Sequence, residues 1–349
     1  MPIYVDRYRH RPSHPIFQMA ARSALKDLTS GYREKIRTIA GLFEKRADIA
    51  AGFNAFEDRA SKALFSDLLI YRYLTPHFSR IARNKTRCRE LEAFMKEDLP
   101  FEPLPLNAEL LGGPVMIWPV HLNGTPAKVV TTKYGLYWTM KSEQYYFRRG
   151  TISIGPEEGD VILDCGALFG DTAIKFAAHI GDAGRVYSFD PVPIHAELAK
   201  QSVARNRLDD RIEVFACGVA RTTSLYGTGG IDELAGIRGD GVIQPGHRLS
   251  ASEPTISIDD FCRHKQLRSV SYIKMDIEGS EADALEGARE TIQAFRPKLA
   301  ICLYHKPSDL WTIPAELKRR YPFYKLFLQH YSLHLEETVM YGIPDHSHA

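Results

Sequence analysis

From about residue 160 onward the sequence predicts a doubly wound α/β fold, and three observations predict it. Short apolar runs alternate with stretches of helical periodicity, a pattern that implies a parallel sheet with helices on both faces. The first of these runs, "VILDCG", passes through a glycine-bearing turn directly into a helix. The second run, "RVYSFD", ends on an acidic residue, Asp190, at the strand end that faces a ligand in such sheets.

The elements follow in order. Residues from about 16 to 97 read as helices: Ile36, Ile39, Leu42 and Phe43 recur at helical spacing, then Phe53 and Phe56. "SKALFSDLLIYRYLT" carries an apolar face of Leu64, Phe65, Leu68, Leu69, Tyr71 and Tyr73, and Pro76 should stop it. Residues 98–114 are rich in Pro and Gly and read as a linker. Residues 115–154 read as extended through "VMIWPVHL", "AKVVTTKYGLYWTM" and "YYFRRGTISI", with a turn at Gly124-Thr125-Pro126. After "VILDCG" a helix is expected from Asp171 to about Ile180, then the strand "RVYSFD" and a helix from about Ile194 to Asn206. "IEVFAC" is the third strand, and a polar, Gly-rich excursion (221–254) leads to the fourth, "SYIKMD". Helices near 279–294 and 308–320 flank the strand "KLAICLY". The last strands, "FYKLFLQ" and "ETVMYG", lie too close together for a crossover helix and should pair antiparallel. The organisation expected is a helical region at 1–100, a linker and β-rich segment at 101–154, and the α/β domain at 155–349.

Composition narrows the class. The chain has 349 residues, 44% hydrophobic and 25% charged, the balance of an ordinary globular protein. A net charge of +2 gives no case for a nucleic-acid or membrane partner. The first hundred residues do carry an excess of about +7, read as a solvated helical surface or a patch for an anionic glycan, lipid headgroup or acyl carrier. The five cysteines (Cys88, Cys165, Cys217, Cys262, Cys302) form no C-x-x-C pair, which argues against disulfides and a Cys-rich zinc site. No signal peptide and no membrane span is expected, and a reducing cytoplasm fits.

Four places carry chemistry. In Asp164-Cys165-Gly166-Ala167-Leu168-Phe169-Gly170-Asp171-Thr172, Gly166 would let the backbone approach a ligand, and Asp171 and Thr172 suit a helix cap. Asp164 is a carboxylate for the cationic amino group of a ligand. The full G-x-G-x-x-G spacing of dinucleotide binders is missing. Asp190, before Pro191, is suited to accept hydrogen bonds from ribose hydroxyls, so the ligand should contain a nucleoside. "IKMDIEGSEADAL" brings Asp276, Glu278 and Glu281 to the carboxyl end of the fourth strand, to orient a hydroxyl, bind cofactor, hold a divalent cation or simply cap a helix. Tyr304-His305 ends the fifth strand, where a histidine is either a general base or a satisfied structural residue.

These segments, with Gly287-Ala288 and "RPKLAI" (Arg296–Ile301), resemble the FkbM family of S-adenosylmethionine-dependent methyltransferases over roughly residues 150–345. The resemblance implies a Rossmann-like class I methyltransferase fold of seven strands, S-adenosylmethionine as cofactor, and O-methylation of a saccharide, glycolipid or polyketide-like acceptor. It further implies that Asp164, Gly166, Ala167, Gly170, Asp171 and Thr172 lie along the methionine part of the cofactor. Asp190 and Pro191 would lie at the ribose, Cys217 and Gly218 near the adenine, and Asp276 at the transfer site. Asp190 stands where many members have Glu. His305 or Asp276 is expected to take the acceptor's proton, with Glu278 beside them. No metal is assigned: a Mg²⁺ site at Asp276 and Glu278 would need a further ligand. The expected partner is a small-molecule or glycan acceptor. An aromatic run, Tyr134, Tyr137, Trp138, Tyr145, Tyr146 and Phe147, is either a sugar-stacking lid or core. Methylation of nitrogen, a nicotinamide-type oxidoreductase and a cofactor-binding protein without chemistry are the rival readings; Met275-Asp276-Ile277-Glu278 is not the Pro-Pro-aromatic stretch of base amino methylation.

Overall fold

The computed structural model of the chain describes residues 40–74, 79, 81, 85–104, 109–110, 113–236 and 247–345. The expectations for Ile36, Ile39 and Pro76, and much of the basic N-terminal stretch, lie outside these residues. Seven strands form the main sheet: β1 (Val161–Cys165), β2 (Arg185–Phe189), β3 (Ile212–Phe215), β4 (Tyr272–Met275), β5 (Lys298–Cys302), β6 (Tyr324–His330) and β7 (Thr338–Pro344). Their order is β3-β2-β1-β4-β5-β7-β6. Pairing is parallel from β3 to β5, and β7 runs antiparallel to both β5 and β6. The strand order reverses between β1 and β4. A crevice opens at such a point, beyond the carboxyl ends of the strands, because successive crossovers leave it to opposite sides.

Alternation along these strands builds a core on each face. Leu163, Cys165, Phe189, Ile273, Met275, Leu299 and Ile301 pack into one. Ile162, Val186, Tyr272, Ala300 and Cys302 pack into the other. Both faces are covered, which is why the strands read as continuous apolar runs rather than alternating ones. The helices Asp171–Ile180 and Pro193–Arg205 follow β1 and β2. The helix expected near 279–294 is two, Glu281–Glu286 and Arg289–Phe295. They break at Gly287, where a Cβ would meet the Ala220 carbonyl oxygen at 2.3 Å.

The N-terminal helices are not a separate layer. Arg46–Ala55 lies against Asp309–Arg320 so closely that a Cβ on Gly52 would meet the Trp311 backbone at 2.5 Å. Phe56, Phe65 and Leu68 join the main core, and Ser61 Oγ accepts the Leu328 N–H at 2.8 Å. Phe43, expected on an apolar face, is exposed.

The β-rich segment departs from expectation in two places. Glu102–Pro103, inside the expected linker, pairs with Met116–Ile117 beside the hairpin Met116–Leu122/Thr125–Thr131. That hairpin turns at Asn123-Gly124, both at positive φ, one residue earlier than expected. Residues 133–141 are helical, not extended. The Thr132 side chain caps them by accepting the Gly135 N–H at 3.0 Å, and a local cap of this kind outweighs the β propensity of the aromatics. Tyr137, Tyr145, Tyr146 and Phe147 are buried, so most of the aromatic run is core. All five cysteines are free and buried. Among the described residues no helix is long and apolar enough to cross a membrane.

Candidate functional site

A cleft of about 120 Å³ opens at the β1/β4 reversal, beyond the carboxyl ends of the strands. Of the residues singled out in the sequence, Gly166, Asp190, Pro191, Cys217, Gly218, Asp276 and Glu278 line it. Asp164, Ala167, Gly170, Asp171 and Thr172 do not.

Asp164 is not free for a ligand's amino group. It is fully buried and pairs with Lys274 Nζ at 3.1 Å, while its other oxygen accepts from Thr172 Oγ1 at 2.9 Å. Lys274 sits opposite Asp164 in the β4–β1 register, so its charge is met at the closest possible place. Burial disfavours the ammonium, but the Asp164 charge outweighs that and raises its pKa. Asp171 and Thr172 do not cap the helix; Gly170 occupies the N-cap at φ 79°. Asp171 accepts instead from Thr139 Oγ1 at 2.7 Å, and burial raises its pKa. Gly170 packs against Ala199 of the next helix. Gly166 sits at φ 84°, and a Cβ there would meet the Asp276 carbonyl oxygen at 1.8 Å. The close approach it permits is therefore between the β1 and β4 loops, not only towards a ligand.

Asp190 holds the turn that forms the cleft floor. Its Oδ2 accepts the Leu168 N–H at 3.0 Å; Oδ1 accepts the Val192 N–H and contacts His195 Nδ1, each at 3.0 Å. A carboxylate has about four acceptor positions, so one remains for a ribose hydroxyl. Apolar walls come from Phe189, Leu168, Val219, Leu249 and Ile277. A flat ring between apolar walls with a carboxylate beside it is what a nucleoside requires, and the cleft fits S-adenosylmethionine on that ground.

At the other end of the cleft the chemistry gathers on His305. Its Nδ1 lies 2.7 Å from Glu281 Oε1, and its Nε2 lies 3.4 Å from both Asp276 Oδ1 and Glu278 Oε2. Asp276 in turn accepts from Tyr145 Oη at 2.7 Å and from Tyr304 Oη at 2.8 Å. Burial works against its charge, yet His305, Lys274 and the two phenols hold its pKa below the ordinary value. Burial raises the pKa of Glu278. Burial also disfavours a charged imidazole, but the Glu281 hydrogen bond and the three carboxylate charges outweigh it and push His305 up to about 9. Of the two residues expected to take the acceptor's proton, His305 or Asp276, the upward push on the imidazole disfavours His305 and favours a carboxylate.

Sequence reasoning missed four contributors. Lys274 had a signal, a lysine inside the apolar run "SYIKMD". Tyr145 had none; it reaches Asp276 from the segment before β1, at φ 71°. Glu337, whose Oε2 accepts from Gln144 Nε2 at 2.6 Å, is pushed up to about 8 by burial and the Asp276 charge. His247 lines the cleft from the polar excursion before β4. Leu168, Glu278 and Tyr145 all have positive φ, and non-glycine backbone of this kind gathers where side chains are held for function.

Residues 164–331 match the family model described as the methyltransferase FkbM domain. The 2-O-methyltransferase NoeI of Sinorhizobium fredii (strain NBRC 101917 / NGR234) is 25% identical over 162 residues, 42% of this chain and 65% of its own length. A catechol O-methyltransferase of Mycobacterium tuberculosis (strain ATCC 25618 / H37Rv) is 31% identical over 137 residues, 38% of this chain and 58% of its own. The chain thus spans less than two thirds of either curated relative. The crystal structure of a methyltransferase FkbM from Methylobacillus flagellatus KT is 26% identical, with a TM-score of 0.44, covering 57% of this chain and 47% of its own.

Proposed function

We propose that this chain, which carries a methyltransferase FkbM domain over residues 164–331, is an S-adenosylmethionine-dependent O-methyltransferase acting on a hydroxyl of a saccharide, glycolipid or polyketide-like small molecule. The observation that carries the reading is Asp276: one residue lines the cleft and, through its carboxylate, lies 3.4 Å from His305 Nε2. A cofactor in the cleft and an acceptor beside the carboxylates would therefore meet at a single residue.

The roles follow from the geometry. Bound in the cleft, S-adenosylmethionine supplies a methyl group already activated on a sulfonium. Asp190 and the Leu168 turn hold the ribose end, and Cys217 and Gly218 border the ring pocket. Asp276, held by Tyr145 and Tyr304, orients the acceptor oxygen; this positioning is worth more than any proton transfer, since a fixed near-attack geometry contributes roughly 7–11 kcal/mol. Glu278, at the cleft rim and with a raised pKa, is the better proton acceptor of the two carboxylates. The His305 ring offsets part of their charge. That both relatives are O-methyltransferases supports a hydroxyl over a nitrogen acceptor.

Calorimetry with S-adenosylmethionine, on the wild type and Asp190→Ala, tests the cleft. Binding in the micromolar range that Asp190→Ala weakens ~10-fold or more is expected. Transfer of labelled methyl to a panel of hydroxyl acceptors then tests the chemistry. Folded protein that binds nothing at millimolar cofactor would sink the reading.

A further inference from the structure

The charge around His305 is unbalanced. Three carboxylates, Asp276, Glu278 and Glu281, surround one imidazole, and among the described residues no Lys or Arg forms an ion pair with any of them. Lys274, whose charge reaches Asp276, is committed to Asp164 and donates to the Gly166 carbonyl at 2.7 Å. Ligand atoms from Asp276, Glu281 and His305 all lie within 4.8 Å of one another.

A second observation points to a ligand. The His305 side chain is only 6% exposed, and its Nε2 makes no hydrogen bond. That nitrogen is aimed between Asp276 Oδ1 and Glu278 Oε2, each 3.4 Å away. Neighbouring ligands of a metal with bonds of about 2.1 Å sit about 3–3.5 Å apart, and both distances from Nε2 match that spacing. Glu281, fully buried, accepts the Ile277 N–H at 3.0 Å and takes the opposite ring nitrogen. A bound cation would take the place of the Nε2 proton, while Glu281 keeps the remaining proton on Nδ1, as a carboxylate behind a metal-binding histidine does.

We infer that Asp276, Glu278 and His305 hold a divalent cation at the rim of the cleft, with Glu281 positioning the imidazole, and that the cation takes an acceptor bearing two neighbouring oxygens. The inference rests on the methyltransferase reading only for the acceptor. A mixed set of two carboxylates and one imidazole suits Mn²⁺ or Mg²⁺ more than a thiophilic metal. Asp276 and Glu278 both line the cleft, so the positions not filled by protein face the acceptor. A vicinal diol or a hydroxyl beside a carbonyl would chelate there. The cation would acidify the reacting hydroxyl, and Glu278 keeps its second oxygen to receive the proton.

The test is a Mn²⁺ titration of chelator-stripped protein, followed by the resonance signal of free Mn²⁺, with S-adenosylmethionine binding measured separately on the same samples. One Mn²⁺ per chain, bound below about 1 mM, is expected. Glu278→Gln and His305→Gln should each weaken it at least ~10-fold, and Glu281→Gln by ~10- to 100-fold. Glu278 is at the rim, so its variant keeps the test readable should the His305 variant not fold. Protein that binds S-adenosylmethionine but no Mn²⁺ at about 1 mM overturns the inference and leaves the methyltransferase reading standing. Mn²⁺ binding that both Gln variants leave unchanged overturns it as well. Mn²⁺ bound through these residues in a chain that binds no S-adenosylmethionine would uphold the cation and remove the methyltransferase reading.

Discussion

Lys274→Met should be among the most destabilising single changes in the chain, and its effect should vanish when Asp164 goes with it. Lys274 is 2% exposed and Asp164 0%, with 3.1 Å between the charges. At an effective dielectric near 20, charges that close attract by about 5 kcal/mol. Removing the ammonium leaves the Asp164 carboxylate with Thr172 alone, and leaves the Gly166 carbonyl without its donor. Breaking one half of a buried pair typically costs ~3–5 kcal/mol, and that is the loss expected here. Methionine has nearly the length of lysine, so little of the loss would come from a cavity. Replacing both partners, Asp164→Leu with Lys274→Met, removes the desolvation penalty along with the attraction and should recover most of the stability. Urea denaturation of the four proteins closes the cycle. Should Lys274→Met lose less than ~1 kcal/mol, the pair is not the charge lock beneath the Gly166 loop described here. Equal losses in the single and double variants would refute the compensation argument in the same way.

The remaining predictions concern the cleft and the acid limit of stability. Gly166→Ala should unfold or severely destabilise the domain, since the new Cβ would overlap the Asp276 carbonyl at 1.8 Å on a backbone at φ 84°; a melting temperature within a few degrees of wild type would contradict this. Tyr145→Phe removes one of two phenols that stabilise the Asp276 carboxylate. The Asp276 pKa should then rise, moving the acid limb of kcat/KM to higher pH while stability falls by only ~1 kcal/mol; an unmoved limb would show that Asp276 does not set it. His330 is buried and held down to about 3 by burial and the nearby Arg87 charge. Its neutral form is the folded one, so stability is complete above the unfolded pKa near 6.5 and falls as acid charges the unfolded ring. The slope should reach up to ~1.4 kcal/mol per pH unit between about 6.5 and 3, and His330→Gln should flatten it in pH-dependent urea titrations.

How much of this was legible before the structure depends on whether the signal was local. β1, β2 and the helix Asp171–Ile180 could be read because both sheet faces are buried and the periodicity changes sharply at Gly166. Asp190, Asp276 and Glu278 were legible as residues of one cleft because strand ends in a parallel sheet share one edge. What failed was side-chain pairing across elements. Asp164 looked available because its counter-charge, Lys274, lies 110 residues away on β4. Asp171 and Thr172 looked like caps because nothing local announced Thr139 and Asp164 as their partners. Tyr145 was read only as part of an aromatic run, although its ring is core and its hydroxyl reaches Asp276. His305 was legible at this edge, but the upward push on its ring was not, since three carboxylates from one loop and helix start were weighed separately and not as one field.

That field has a single origin in the register of two strands. Lys274 and Asp276 are two residues apart and leave β4 on the same side. Register sets Lys274 opposite Asp164, so the only buried ammonium of β4 is spent inside the sheet. Asp276, one step beyond the sheet, is left to find its counter-charge outside it, as are Glu278 and Glu281 on the following turn. His305, at the end of the neighbouring β5, is what the fold brings there. Were Lys274 to pair with Asp276 instead, the cleft edge would be one charge less negative and Asp164 would be the unpaired charge, buried where no ligand reaches. The same lysine therefore keeps the sheet core neutral and leaves the ligand edge negative, and moving it to the edge would work against both.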